Sequence, residues 1–193
     1  MSSSLKPTWP DQHKACLALA FDLDGPTGDA MLNGSIWRQP EYFGFGGYGP
    51  YRALPRILDL LDEFRLPSTF FVPAWVVENW PKQCQAIVGR GHEVAYHGYQ
   101  HESFYGLTLD QQKDVMKRSR EVFWNYLNIR AEGFRTPSGD WRAETPAMLV
   151  EAGVTYRVVA QRVTTEAGEL IVMLADGSDA RQHWLRNVLM RVL

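Results

Sequence analysis

Apolar positions in this chain fall into short continuous runs separated by longer stripes with a helical period. The first run, ACLALAFD at residues 15–22, has the length and density of a strand buried on both faces. LPRILDLLDEF follows with Leu54, Ile57, Leu58 and Leu61 on one helical stripe, which predicts an amphipathic helix. STFFVPA, rich in Phe and Val, predicts a second strand. NWPKQCQAIVGRG carries Pro81 near its start and glycines at its end, the start and stop signals of a helix. HEVAYHG predicts a third strand. TLDQQKDVMKRSREVFWNYL opens on Thr108 with Gln111 three residues later, a capping box ahead of a long helix. EGFRTP predicts a strand, ETPAMLVEAG a helix closed by Gly153, and VTYRVV a further strand. Residues 33–51 are rich in glycine and aromatics, end in GFGGYGPY, and predict a long loop.

Strands that alternate with helices of about ten to twenty residues imply βαβ units and a parallel sheet, hence an α/β fold. In such folds reactive side chains gather at the carboxyl ends of the strands. Asp22, Asp24, His97 and Arg135 all fall at predicted strand ends, so the fold can bring them together although they are far apart in the chain.

Composition narrows the partners. At 193 residues the chain is expected to form a single domain. A formal charge of −2 leaves no footprint for nucleic acid or an anionic membrane surface. No stretch reaches the ~20 apolar residues of a membrane helix, and MSSSLKPTWPDQHK lacks the apolar segment of a signal peptide. The expected location is cytoplasmic. Cys16 and Cys84 are distant in sequence and read as small buried apolar residues in a reducing compartment.

The candidate chemistry begins at FDLDG, residues 21–25. Two aspartates one residue apart can serve as nucleophile and acid–base partner in a dehalogenase-type phosphatase, or as base and metal ligand in a hydrolase. His97 and His101, in HGYQH, have the H-x-x-x-H spacing of many metal pairs. A helical turn there would set both imidazoles on one face. Two neutral imidazoles and one carboxylate are a common ligand set for hydrolytic zinc and leave positions open for water and substrate. RTP then places Arg135 at a strand end, with Pro137 and Gly139 shaping the next turn. The phosphatase would need a later lysine and a terminal acidic motif. ELIVMLADGSD supplies Asp176 and Asp179, but Pro26 stands where that family usually has threonine.

FDLDG, HGYQH and RTP, in this order and with GHEV before the histidines, resemble the motifs of the NodB-homology polysaccharide deacetylases, carbohydrate esterase family four. The spaced aspartates and the Gly/Tyr segment are similar to a cytoplasmic branch holding peptidoglycan deacetylase-like proteins and cyclic-amide hydrolases. The resemblance implies a distorted (β/α) barrel. It implies Asp22 as general base, Arg135 holding Asp22 ionised and oriented, and Asp24, His97 and His101 on a divalent transition metal: zinc first, with manganese, cobalt or nickel as alternatives. The implied activity, in carbohydrate metabolism, is hydrolysis of a non-peptide C–N amide bond in a small soluble N-acetylated sugar, or alternatively in a cyclic imide or ureide.

The likeness covers about residues 15–156. Residues 1–14 are expected to be an extension and 157–193 a divergent or truncated segment that leaves the barrel incomplete. His183 is the only late histidine, and its surroundings do not match the family's late Leu-His motif. Such an ending exposes a sheet edge, which favours homo-oligomers; LRNVLMRVL could cover that edge as a helix. The reading from another class is a catalytically inactive remnant that binds metal or glycan. Among the remaining residues, His92 is expected in the core, His13 in solvent, and KRSRE on a solvated helix face; Glu102, beside His101, could orient a ligand but is expected in solvent. GFGGYG lacks the ending of a phosphate loop. Tyr42, Phe43, Phe45, Tyr48 and Tyr51 are expected near the pocket, where aromatics can stack on a sugar.

Overall fold

The computed structural model describes residues 18–165 and 168–176, with residues 156–165 and 168–176 described by their backbone. Strands β1 (Ala20–Asp22), β2 (Thr69–Val72), β3 (Glu93–Tyr96), β4 (Gly133–Arg135), β5 (Tyr156–Thr165) and β6 (Gly168–Asp176) form one sheet in sequence order. The first five are parallel and β6 returns antiparallel to β5. The expected α/β class therefore holds, as a parallel sheet curled into a partial barrel. Each parallel step is bridged by helix: α1 (Thr27–Leu32), α2 (Pro40–Gly46) and α3 (Leu54–Glu63) after β1, α4 (Ala74–Asn79) and α5 (Pro81–Gly89) after β2, α6 (Leu109–Leu127) after β3, and α7 (Thr145–Glu151) after β4.

β2 is buried throughout, and β3 and β4 at all but one residue each, as expected of parallel strands covered on both faces. Phe70, Phe71 and Phe134 are shielded from solvent, and Leu54, Leu58, Ile87, Met116 and Phe123 from the helices share one core cluster with Phe70 and Phe134. The capping box at Thr108 and Gln111 forms as the sequence predicts. Cys84 is buried in this core, as expected.

Register aligns the strand ends. Asp22 pairs with Phe71, Phe71 with Ala95, Tyr96 with Phe134, and Arg135 with Val158. Continuing each ladder past its last pair sets Asp24, His97 and Arg135 in one row across the top of the sheet.

One local expectation fails. Residues 33–51 are helical, not a loop. A 3-10 turn at Gly34–Arg38, then α2, then a π-helical turn at Gly49–Ala53 run directly into α3. Pro40 opens α2 with a preset φ, and Gly46, one of the glycines that argued against helix, is there for close approach. A Cβ on Gly46 would lie 2.5 Å from the Pro26 nitrogen and 2.6 Å from its ring carbons. AWVVEN also forms a helix, α4; Ala74, Val76 and Val77 are all buried, and so short an apolar run has no readable period. Gly46→Ala is expected to destabilise the fold by about 1–3 kcal/mol, because the obstructing atoms are backbone and ring. A urea midpoint unchanged from the parent would contradict this contact.

His13, Cys16, Asp179, His183 and the predicted helix LRNVLMRVL lie outside the described residues. Asp176 pairs with Arg157 at the start of β5, at the other side of the sheet from β1. It cannot supply the acidic motif that a phosphatase at Asp22 and Asp24 needs. Among the described residues, no helix is long and apolar enough to cross a membrane.

Candidate metal centre

Asp22 ends β1, and Asp24 follows after one further ladder bond, from the Leu23 N–H to the Phe71 carbonyl at 3.0 Å. The chain then turns sharply. Gly25 takes a φ of +55°, and the Asp24 carbonyl accepts from both the Thr27 amide at 3.0 Å and the Thr27 hydroxyl at 2.7 Å. The open face of Gly25 is filled by the Trp80 ring, 3.2 Å from where a Cβ would sit. These contacts fix the backbone that carries Asp24.

His97 follows β3 directly and is almost wholly buried. Its Nδ1 lies 2.8 Å from the Arg135 carbonyl. As an N–H donor there, His97 leaves its Nε2 lone pair facing Asp24 Oδ1 at 3.7 Å. His101 Nε2 faces the other oxygen, Oδ2, at 3.6 Å. The two imidazoles meet edge to face, 4.7 Å between centroids.

Residues 97–101 do not form the helical turn that the spacing suggested. Gly98 and His101 both have left-handed backbones, with φ of +72° and +63°. This kinked loop, not a helix face, turns both rings toward one carboxylate.

One ligand atom from each of Asp24, His97 and His101 can be chosen so that all lie within 4.8 Å of one another. Ligands on a tetrahedral zinc stand roughly 3.3–3.4 Å apart, so small contractions would seat an ion. Asp24 Oδ1 is also buried and accepts no hydrogen bond, an orphaned acceptor of the kind that calls for a cation or proton. Electrostatics agree. Burial lowers both imidazoles to about 4, with the Arg135 charge also lowering His97 and the neighbouring His97 also lowering His101. They are therefore neutral at physiological pH, as ligands must be. Burial and the nearby Asp22 charge raise the Asp24 carboxyl to about 7, against the opposing effect of Arg135.

Asp22 stands outside this ligand set. Arg135 donates to its Oδ1, and the guanidinium lies over the Phe71 ring at 4.1 Å. Arg135 thus acts twice: its side chain holds Asp22 and its carbonyl holds His97. The structure brings together all five residues singled out from the sequence. Sequence reasoning missed the carbonyl, which no residue type reveals, and the role of Phe71. Alternation along β2 was the available signal for Phe71: Phe70 stacks on Phe21 and borders His92, while Phe71 faces His97 and Arg135.

One other expectation is corrected. Glu102 is half-buried and hydrogen-bonded rather than solvated. KRSRE is exposed at Lys117, Arg118, Arg120 and Glu121, as expected, with Ser119 buried and Arg118 lying over the Tyr99 ring at 3.6 Å. His92 is buried as expected, at the opposite end of β3 from His97. Phe45, Tyr48 and Tyr51 project into solvent.

Comparison with known proteins places this geometry in context. The family model described as polysaccharide deacetylase matches residues 47–157, more than half of the chain. A peptidoglycan deacetylase of Helicobacter pylori is 31% identical over 117 residues, covering 61% of this chain and 40% of that protein. A chitooligosaccharide deacetylase of a Bradyrhizobium species is 32% identical over 109 residues, covering 56% of this chain and 49% of that protein. A solved structure from Mycobacterium smegmatis, assigned as a polysaccharide deacetylase, superposes with a TM-score of 0.76 at 29% identity, covering 86% of this chain and 60% of that one. The chain spans less than two thirds of the length of each of these relatives.

Proposed function

The chain belongs to the polysaccharide deacetylase family, and on that premise we propose that it is a metal-dependent hydrolase of non-peptide C–N bonds that removes acetyl groups from N-acetylated sugars. The observation that carries this reading is the convergence of Asp24, His97 and His101 on one point, with Asp22 held beside them by Arg135. Residues 15–156 would form the catalytic unit.

Asp24, His97 and His101 would hold the ion, with zinc the metal best suited to two imidazoles and a carboxylate. When bound, such an ion makes water a nucleophile near neutral pH and polarises the amide carbonyl. Asp22 takes the proton that water gives up as it attacks. Held as a carboxylic acid, it can return that proton to the departing amine, so the proton balance closes on one side chain. His92 cannot serve as that acid, because it lies at the other end of β3. Arg135 keeps Asp22 aimed across the top of the sheet, and Phe71 backs the guanidinium so that it does not swing away.

The cyclic imide or ureide reading uses the same groups and is an outcome of the same test. Purified protein, analysed for metal, is offered N-acetylated glucosamine oligomers and cyclic amides. Acetate release from the oligomers supports the proposal, and ring opening alone moves the substrate to the alternative. Stoichiometric metal with neither activity leaves the inactive binding remnant. The expected cytoplasmic setting favours small soluble amides.

Binding of the ion should depend on pH in a defined window. The metal-free Asp24 carboxyl titrates at about 7 and the imidazoles at about 4. Between those values, filling the site displaces one proton, from Asp24. Zinc affinity is therefore expected to fall about tenfold per pH unit below neutrality. Chelator competition at several pH values measures this, and a flat profile contradicts it.

A further inference from the structure

We propose that Glu102 is the positioning residue for the metal-binding histidines, closing the His97–His101 loop through its backbone rather than touching either imidazole. The inference rests on the metal-centre reading above.

The loop from His97 to His101 contains two left-handed residues, at Gly98 and His101. A non-glycine residue in that region costs about 1–3 kcal/mol and persists only where its surroundings hold it. Its backbone polar groups therefore need partners. The carbonyls find theirs at the start of α4: the Ala74 amide donates to Gly98 at 3.1 Å and the Trp75 amide to Tyr99 at 2.9 Å. The Ser119 hydroxyl adds a donor to Gly98 at 3.3 Å. The amides are taken by one side chain. Glu102 Oε2 accepts from the Tyr99 N–H and Oε1 from the Gln100 N–H, each at 2.9 Å. A single carboxylate thus bridges successive amides inside the five-residue loop.

The space for it is made by Gly98. A Cβ there would lie 2.8 Å from Glu102 Oε2 and 3.3 Å from Cγ of Pro137. Glycine at 98 and glutamate at 102 are therefore one device, and the proline of RTP closes its other side. Tyr99 locks the loop outward: its hydroxyl donates to Glu78 and accepts from Arg118.

The test is titration of the full chain with Co2+, read by its visible absorption, at a temperature where every variant is folded. Glu102→Ala is expected to weaken Co2+ binding by about 10–100-fold, the range for loss of a ligand-supporting partner, and to change the absorption bands. Glu102→Gln keeps one acceptor and should fall between Ala and the parent, which charge removal alone would not produce. Gly98→Ala displaces the carboxylate by a separate route and should reproduce the weakening. Hydrogen exchange of the Tyr99 and Gln100 amides should quicken in the Glu102→Ala protein without added metal. Parent-like affinity and spectrum in Glu102→Ala would overturn the role of Glu102 and leave the metal centre standing. A parent that binds no Co2+ would overturn the centre and this inference with it.

Discussion

Asp22→Asn protein is expected to retain its metal and to lose about 10²–10⁴-fold in turnover. Asparagine keeps the shape of the side chain and an oxygen to accept from Arg135, so the alignment across the top of the sheet survives. What it loses is the ability to take a proton. Asp22 is outside the three-residue ligand group, so metal content should stay near that of the parent. Two opposing electrostatic effects limit any change in affinity. Removing the Asp22 charge makes Asp24 easier to ionise, since that charge helps raise the Asp24 carboxyl, but it also removes an attraction for the cation. Steady-state kinetics with parallel metal analysis makes the measurement. A loss below tenfold would place the base elsewhere, and a loss of metal would move Asp22 into the ligand set.

Asp24→Asn should act in opposite directions on binding and on stability. Tight metal binding should fall by more than the ~10–100-fold that follows loss of a mere supporting partner. The metal-free variant should nonetheless be more stable than the metal-free parent at alkaline pH. The folded pKa of Asp24 lies above its unfolded value, so its protonated form contributes stability that is fully present below 3.8 and lost as pH rises through about 7. Asparagine stays neutral and does not incur that loss. With 1.36 kcal/mol per unit over the interval from 3.8 to about 7, the variant gains at most about 4 kcal/mol above neutrality. His97 and His101 are shifted downward, so they cost stability as pH falls from 6.5 through about 4. That cost is common to both proteins and cancels in the comparison. Urea denaturation of chelator-treated proteins at pH 5 and pH 8 tests the sign. Equal stabilities at the higher pH, or full metal content in the variant, would refute it.

The sequence made the main elements and the reactive set legible because each left a local mark. The capping box at Thr108 and Gln111, Pro81 opening α5, and the apolar run of β2 depend on near neighbours in the chain, and all three appear where expected. Helical segments between Asn33 and Leu54 were not legible. One of their glycines, Gly46, satisfies a contact with Pro26 twenty residues away, and local propensity cannot register a tertiary demand. The His97–His101 loop was misread for a related reason. Its spacing suits a helix, but the backbone is set by Glu102, Gly98 and the amides of α4. Glu102 itself carried no distinguishing signal, since a glutamate after a histidine looks solvated until its two amide partners are seen.

Among the described residues, β1 is three residues long, pairs only with β2, ends on Asp22 and leads two residues on to Asp24, while the imidazoles and the guanidinium extend from interior strands. A cation shared between Asp24 and the histidines would therefore act as a clasp, fastening the outermost ribbon to the body of the sheet. Lifting of that ribbon and escape of the ion would be one event, so the residence time of the metal would be set by how often three residues fray.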